Sequence, residues 1–243
     1  MVVRPNYLPR LVPSVLAASR LDPWGAIAPL FLGRRVPWIH WDAMDGRFAP
    51  NVGLDSGTLG SLRKKFLERG AGCPKFAVHL MVERPDLRWE AFRGAGAESI
   101  VFHGECAVDG HALAQKIHGA GLLVGVAINP RTPLESCMPL LDAVDWVIFM
   151  GVEPGFCGQK FQDSVLEKIS LAHRRRREQK FSFAIGVDGG VCAENIPRLL
   201  DAGTDIFIAG SGIFHSPNPS VAYDHLSNLL RRNGTKDAPP RLD

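Results

Sequence analysis

The 243-residue chain has no run of 18 apolar residues, no Cys-x-x-Cys pair and little excess of either charge. The first absence excludes a membrane-spanning helix, and residues 1–10 lack the apolar core of a signal peptide. Five cysteines, at positions 73, 106, 137, 157 and 192, are odd in number and unpaired by spacing. They predict reduced thiols rather than a disulfide framework, and with the missing membrane and export signals they predict a cytoplasmic protein with no membrane partner. A net charge of +3 and a pI near 8.7 are too weak to argue for nucleic acid but suit a small anionic substrate. The one basic run, Arg174 to Arg177, reads as a solvated last helical turn, where cations favour the negative end of the dipole.

What the chain does have is alternation. Short β-rich apolar runs occupy Leu11–Ala17, Trp38–Met44, Phe76–Met81, Ser99–His103, Leu123–Ile128, Trp146–Met150, Phe183–Asp188 and Asp205–Ala209. Between them, helices are predicted near 22–33, 56–69, 85–94, 109–119, 132–142, 163–179, 193–201 and 219–232. Pro85, Pro133 and Pro219 stand where a first helical turn tolerates proline, and Gly70, Gly94, Gly121 and Gly203 where helices end. Eight strand–helix units predict an α/β fold with a parallel sheet, closed as a (β/α)8 TIM barrel; an open doubly wound sheet is the alternative. No linker interrupts the pattern, so residues 1–233 read as a single catalytic domain and 234–243 as a disordered tail.

A barrel of this kind carries its active site at the C-terminal ends of its strands. In Trp38–Met44 alternation puts His40, Asp42 and Met44 on one face and Ile39, Trp41 and Ala43 on the other. His79 is the inward residue among Phe76, Val78 and Leu80, and Asp188 ends a strand whose Phe183, Ile185 and Val187 face outward. A lone inward histidine is commonly a satisfied core residue. Two histidines and two carboxylates on three strand ends instead make a site for a divalent transition metal, with zinc, iron(II), manganese and cobalt all compatible.

Asp188-Gly189-Gly190 and Ala209-Gly210-Ser211-Gly212 end the last two strands, where barrels often bind phosphate through backbone N–H groups. Glycine lets the backbone approach an anion closely. The segment Glu153 to Phe161 has the glycines and aromatic tip of a mobile flap.

Seven segments resemble the ribulose-phosphate 3-epimerases, in that family's order: Pro13–Ala17, His40–Asn51, Val78–Met81, Asn129–Pro133, Pro154–Phe161, Val187–Gly190 and Ala209–Ser211. The resemblance implies one divalent ion held by His40, Asp42, His79 and Asp188, and a 3-epimerase acting on ribulose 5-phosphate and xylulose 5-phosphate. It makes Asp42 and Asp188 the acid–base pair and implies a homo-oligomer. Ser14 and His79 would touch substrate; Met44, Met81 and Met150 would line the pocket. Gly155, Phe156, Cys157, Gly158, Gly189, Gly190, Gly210 and Ser211 would hold the phosphate and close over it. Cys157 and Gly151 depart from the family pattern near the substrate. They leave room for another ketose phosphate, such as allulose 6-phosphate. Trp41 and Ala43 also depart from it, on the face turned to the helices. Barrel decarboxylases and Schiff-base aldolases fit poorly, because no lysine stands at an inward strand end. A sugar-phosphate-binding relative without activity is the remaining alternative.

Overall fold

A computed structural model describes residues 11–18, 22–32, 36–70 and 72–233. The expected tail at 234–243 and the residues preceding Leu11 lie outside them. The strands are β1 Leu11–Pro13, β2 Trp38–Met44, β3 Lys75–Met81, β4 Ser99–His103, β5 Leu123–Ile128, β6 Trp146–Met150, β7 Ala184–Asp188 and β8 Ile206–Ala209. All join one parallel sheet in the order β1-β8-β7-β6-β5-β4-β3-β2. A parallel bridge from Ser14 to His40 brings the two ends of that order together. The sheet therefore curls into the expected (β/α)8 barrel rather than the open doubly wound alternative.

The helices are α1 Pro23–Phe31, α2 Ser56–Glu68, α3 Trp89–Ala95, α4 Gly110–Gly119, α5 Val165–Glu178, α6 Ile196–Asp201, α7 Ser211–Phe214 and α8 Pro219–Asn233. Asp55 and Asp109 start α2 and α4 by accepting hydrogen bonds from Thr58 N (2.7 Å) and Ala112 N (3.0 Å). Three local expectations are corrected. The helix foreseen at 132–142 is a 3-10 segment, Leu134–Leu140, because Pro139 lacks the N–H an α-helix would need. The 85–94 helix splits into a 3-10 turn, Pro85–Leu87, and α3, which ends on Gly96 at φ +99° rather than at Gly94. The first strand stops at Pro13, and Val15–Ala17 form a 3-10 turn.

Strand alternation sorts the core into two layers. Ile39, Trp41, Phe76, Val78, Leu80, Ile185 and Val187 pack outward with the apolar faces of the helices. Trp41 and Ala43 belong to this outer layer, as their parity requires. Val12, Trp38, Ala77, Val101, Ala127, Trp146, Ile148, Met150, Ile206 and Ile208 fill the barrel interior. Trp38 and Trp146 meet edge to face, with centroids 5.6 Å apart. Gly125 pairs with Trp146 in the ladder, and a Cβ there would crowd Val101 Cγ2 at 2.9 Å and Trp146 Cβ at 3.3 Å. With the lower interior plugged by these apolar side chains, polar ones are left for the upper end.

The loop following β5 is held by one cation. Lys168, on α5, donates to the carbonyls of Asn129 (2.9 Å), Pro130 (2.9 Å) and Thr132. Charged hydrogen bonds are worth more than neutral ones, so Lys168→Met is expected to lower unfolding free energy by about 2–3 kcal/mol, read by urea denaturation. A change below about 0.5 kcal/mol would mean that water replaces the ammonium without cost.

Candidate active site

The upper interior is a cluster of ionisable groups taken out of water. His40 and His79 are fully buried, Asp42 is 3% exposed and Asp188 7%. Asp42 and Asp188 reach the site from β2 and β7, strands separated in the sheet order by β1 and β8. His40 Nε2 lies 3.2 Å from Asp42 Oδ1 and 3.0 Å from Asp188 Oδ2. His79 Nδ1 lies 3.2 Å from Asp188 Oδ2, 3.6 Å from Asp42 Oδ1 and 3.3 Å from His40 Nε2. One ligand atom from each of the four residues falls within 4.8 Å of every other, so the group could hold a metal ion. Two imidazole nitrogens and two carboxylate oxygens meeting at one point are a donor set matched to a cation.

Burial opposes a charge on each of the four groups, and their mutual attraction and hydrogen bonds outweigh it. Burial disfavours a charge on His40, but the Asp188 and Asp42 carboxylates beside it outweigh that and raise its pKa to about 10. His79 is shifted upward too: burial lowers it, and hydrogen bonds to Asp188 and Asp42 more than compensate. For Asp42 burial favours the neutral acid, yet the attraction of His40 and its hydrogen bond hold the carboxyl well below the usual range. Asp188 is lowered by the same balance, with the Asp42 charge opposing it. A proton shared among these groups occupies the space a cation would take, so metal and protons compete for the same atoms.

Asp42 and Asp188 both open onto a cleft at the top of the barrel. Ser14 donates to Asp42 Oδ2 at 2.7 Å and so orients that carboxylate. Of the expected substrate contacts, Ser14, Met81, Met150, Gly155, Phe156, Cys157, Gly158, Gly189, Gly190, Gly210 and Ser211 line the cleft. Met44 and His79 do not. Met44 packs on Ala49 and Met81 behind the wall, and His79 lies beneath the aspartates. Glu153, Pro154 and Gln159 of the expected flap also line the cleft, as do Leu16 and Val152, which were not singled out as contacts. No lysine lines it among the described residues.

The flap and the glycine turn are built by their own hydrogen bonds. Gln159 Nε2 donates to Glu153 O (2.7 Å) and Phe156 O (2.9 Å), closing the flap on itself. Asn51 Nδ2 reaches across from the loop after β2 to Gly155 O at 2.8 Å. The Phe156 ring, 54% exposed, stands at the tip. Gly190 adopts φ +70°, and a Cβ there would lie 2.7 Å from Phe161 N. Neither the conformation nor the space admits a side chain. Asn195 fixes this turn, donating to Gly190 O at 2.8 Å and accepting from Cys192 N at 3.0 Å. At Gly151 a Cβ would meet Gly189 O at 2.2 Å, so the glycine that departs from the family pattern fits a closely approaching turn.

Two further residues were missed. His103 ends β4 on the inward parity of Ser99 and Val101 and is fully buried. Its Nε2 lies 2.9 Å from His79 Nε2, and its Nδ1 is 3.2 Å from Glu105 Oε2. The strand-end filter that singles out His79 would have found His103 as well.

Two aspartates beside a buried histidine pair, at the C-terminal mouth of a parallel eight-stranded barrel, stand where barrel enzymes carry their active sites. The model of the "Ribulose-phosphate 3 epimerase family" matches residues 10–214. The chain is 40% identical over 207 residues to the ribulose-phosphate 3-epimerase of Treponema pallidum (strain Nichols), covering 84% of this chain and 90% of that one. It is 36% identical over 224 residues to the enzyme of the same name from Escherichia coli (strain K12), covering 91% and 96%. The chain thus belongs to the ribulose-phosphate 3-epimerase family, carbohydrate isomerases. Among solved structures, KGPDC from Streptococcus mutans in complex with D-R5P superposes with a TM-score of 0.64 at 18% identity, covering 93% of this chain and 99% of that one. The 3-hexulose-6-phosphate synthase superposes with a TM-score of 0.60 at 16% identity, covering 91% and 99%. At such identities the likeness is one of fold. Among the described residues, no helix is long and apolar enough to cross a membrane.

Proposed function

We propose that this chain interconverts ribulose 5-phosphate and xylulose 5-phosphate, with the barrel as its catalytic domain. The observation that carries the reading is the pair Asp42 and Asp188, brought from two well-separated strands to one cleft. Inverting C3 removes a proton from one face of the carbon and returns one to the other, so a base is needed on each side. Asp42, kept ionised by His40 and oriented by Ser14, takes the C3 proton. Asp188, loaded with a proton from solvent against the hold of His40 and His79, delivers it from the opposite face, and the roles exchange in reverse. His40 and His79 hold both carboxylates in place and, with them, would bind one divalent ion. When bound, that ion supplies Lewis-acid stabilisation of the negative charge that develops on the substrate oxygens.

Gly189, Gly190, Gly210 and Ser211 offer close backbone approach to the phosphate. Gly155, Phe156, Cys157 and Gly158 close the flap over it, excluding water from the enediolate. Met81 and Met150 give the sugar a polarisable apolar wall. Stripping the protein with a strong chelator is expected to lower kcat by at least about 100-fold, restored by adding back a transition metal. Full activity in metal-free protein would remove the ion from this account.

The reading is tested by incubating the metal-loaded protein with ribulose 5-phosphate and following xylulose 5-phosphate by carbon-13 NMR, with allulose 6-phosphate in parallel. Turnover of the pentulose supports it. Turnover of the hexulose alone would reassign the substrate, and turnover of neither would remove the enzymatic reading.

A further inference from the structure

Behind the aspartate pair runs a chain of polar groups that ends on an ordered loop. His79 presents Nδ1 to the site, 3.2 Å from Asp188 Oδ2, and turns Nε2 away from it toward His103 Nε2 at 2.9 Å. The two imidazole planes are inclined by only 19°, which lets the facing nitrogens share a hydrogen bond. His103 Nδ1 in turn faces Glu105 Oε2 at 3.2 Å. Glu105 is anchored at its other oxygen, which accepts from Asn129 N at 2.8 Å. It also takes a hydrogen bond from the Thr132 side chain. Both of those residues belong to the loop that Lys168 clamps. The Phe48 ring packs on His103 with centroids 4.4 Å apart.

We propose that His103 and Glu105 are positioning residues that fix the tautomer of His79, keeping the lone pair on Nδ1 and the proton on Nε2. The direction of the chain follows from what each atom can do. An ionised Glu105 only accepts, so His103 donates from Nδ1. A neutral His103 then has only a lone pair at Nε2, so His79 donates from Nε2. In the neutral imidazole that a metal requires, that leaves His79 Nδ1 unprotonated toward the site. A ligating histidine commonly has its other N–H held by a carboxylate or carbonyl. In this chain a second histidine stands between the ligand and the carboxylate. The inference rests on His79 being a metal ligand, and it assigns to two residues outside the cleft a role in setting that ligand.

The test uses zinc or manganese alone, titrated into metal-free protein against a chromophoric chelator. His103→Leu fills the space without an acceptor and is expected to weaken the affinity by about 10–100-fold. His103→Gln restores an acceptor oxygen for His79 Nε2–H and is expected to stay within about threefold of wild type. Equal affinities in all three proteins, or equal loss in both variants, would overturn the proposal. The zinc-loaded wild type supplies a second readout that needs no variant to fold. Long-range proton–nitrogen NMR is expected to show His79 protonated at Nε2 and His103 at Nδ1. A proton on His79 Nδ1 or on His103 Nε2 would overturn it. Failure of the wild type to bind either ion would instead remove the metal reading of the whole site, and the relay with it.

Discussion

Asp188→Asn is expected to lower kcat for epimerisation by about 10³–10⁴-fold, and Asp42→Asn by as much, with KM changed far less. Asparagine keeps the shape of the carboxylate, and its amide oxygen can still face His40 and His79. What it loses is the negative charge offered to the ion and the ability to gain and lose a proton at the substrate's pace. The two losses do not add: with two bases on opposite faces of one carbon, removing either stops inversion. The double variant should therefore be about as slow as each single one. Steady-state kinetics on the three variants checks this. A single variant that keeps more than about a tenth of wild-type kcat would show that its aspartate moves no proton in the reaction.

Trp146→Ala is expected to destabilise the barrel by about 3–5 kcal/mol, the usual cost of truncating a fully buried aromatic side chain. For a chain of this size that corresponds to a fall in Tm of roughly 10 °C, measurable by calorimetry. Trp146 is fully buried in the barrel interior against Trp38, and its ladder neighbour is Gly125. Its two ladder partners, Gly125 and Ala184, carry little or no side chain to fill the vacated volume. The buried indole nitrogen lacks a hydrogen-bond partner among the described residues, so truncation leaves no partner orphaned. The cost is then that of lost packing and an unfilled cavity. A fall in Tm of less than about 3 °C would mean that the interior collapses onto the gap.

Most of the strand-borne site was legible in the sequence. Trp38–Met44 reads directly as β2, with His40 and Asp42 inward, because a strand buried on both faces of a barrel carries apolar residues outward and places its few polar ones at one end. The same parity located His79 and Asp188. Helix ends were less legible. Pro139 turns a foreseen helix into a 3-10 segment, and Arg88, at φ −117°, separates a 3-10 turn from α3 where the pattern suggested one helix. Both depend on single hydrogen bonds that hydrophobic periodicity does not register. His103 was passed over for another reason. Its parity marks it as inward, but its role depends on Glu105 and on the loop after the neighbouring strand β5, a contact set by tertiary packing. Met44 shows the converse, since its parity is inward but Met81 and Ala49 cover it.

The central claim is that two aspartates move the C3 proton on opposite faces of the substrate, and isotope exchange addresses it most directly. Metal-loaded protein is given ribulose 5-phosphate in deuterated water, and the xylulose 5-phosphate formed in early turnover is examined by proton NMR. The account predicts deuterium at C3 of essentially every product molecule, because the proton delivered by one aspartate is not the one taken by the other. Product that keeps its original hydrogen at C3 would contradict it, since one group would then have carried the same proton from face to face.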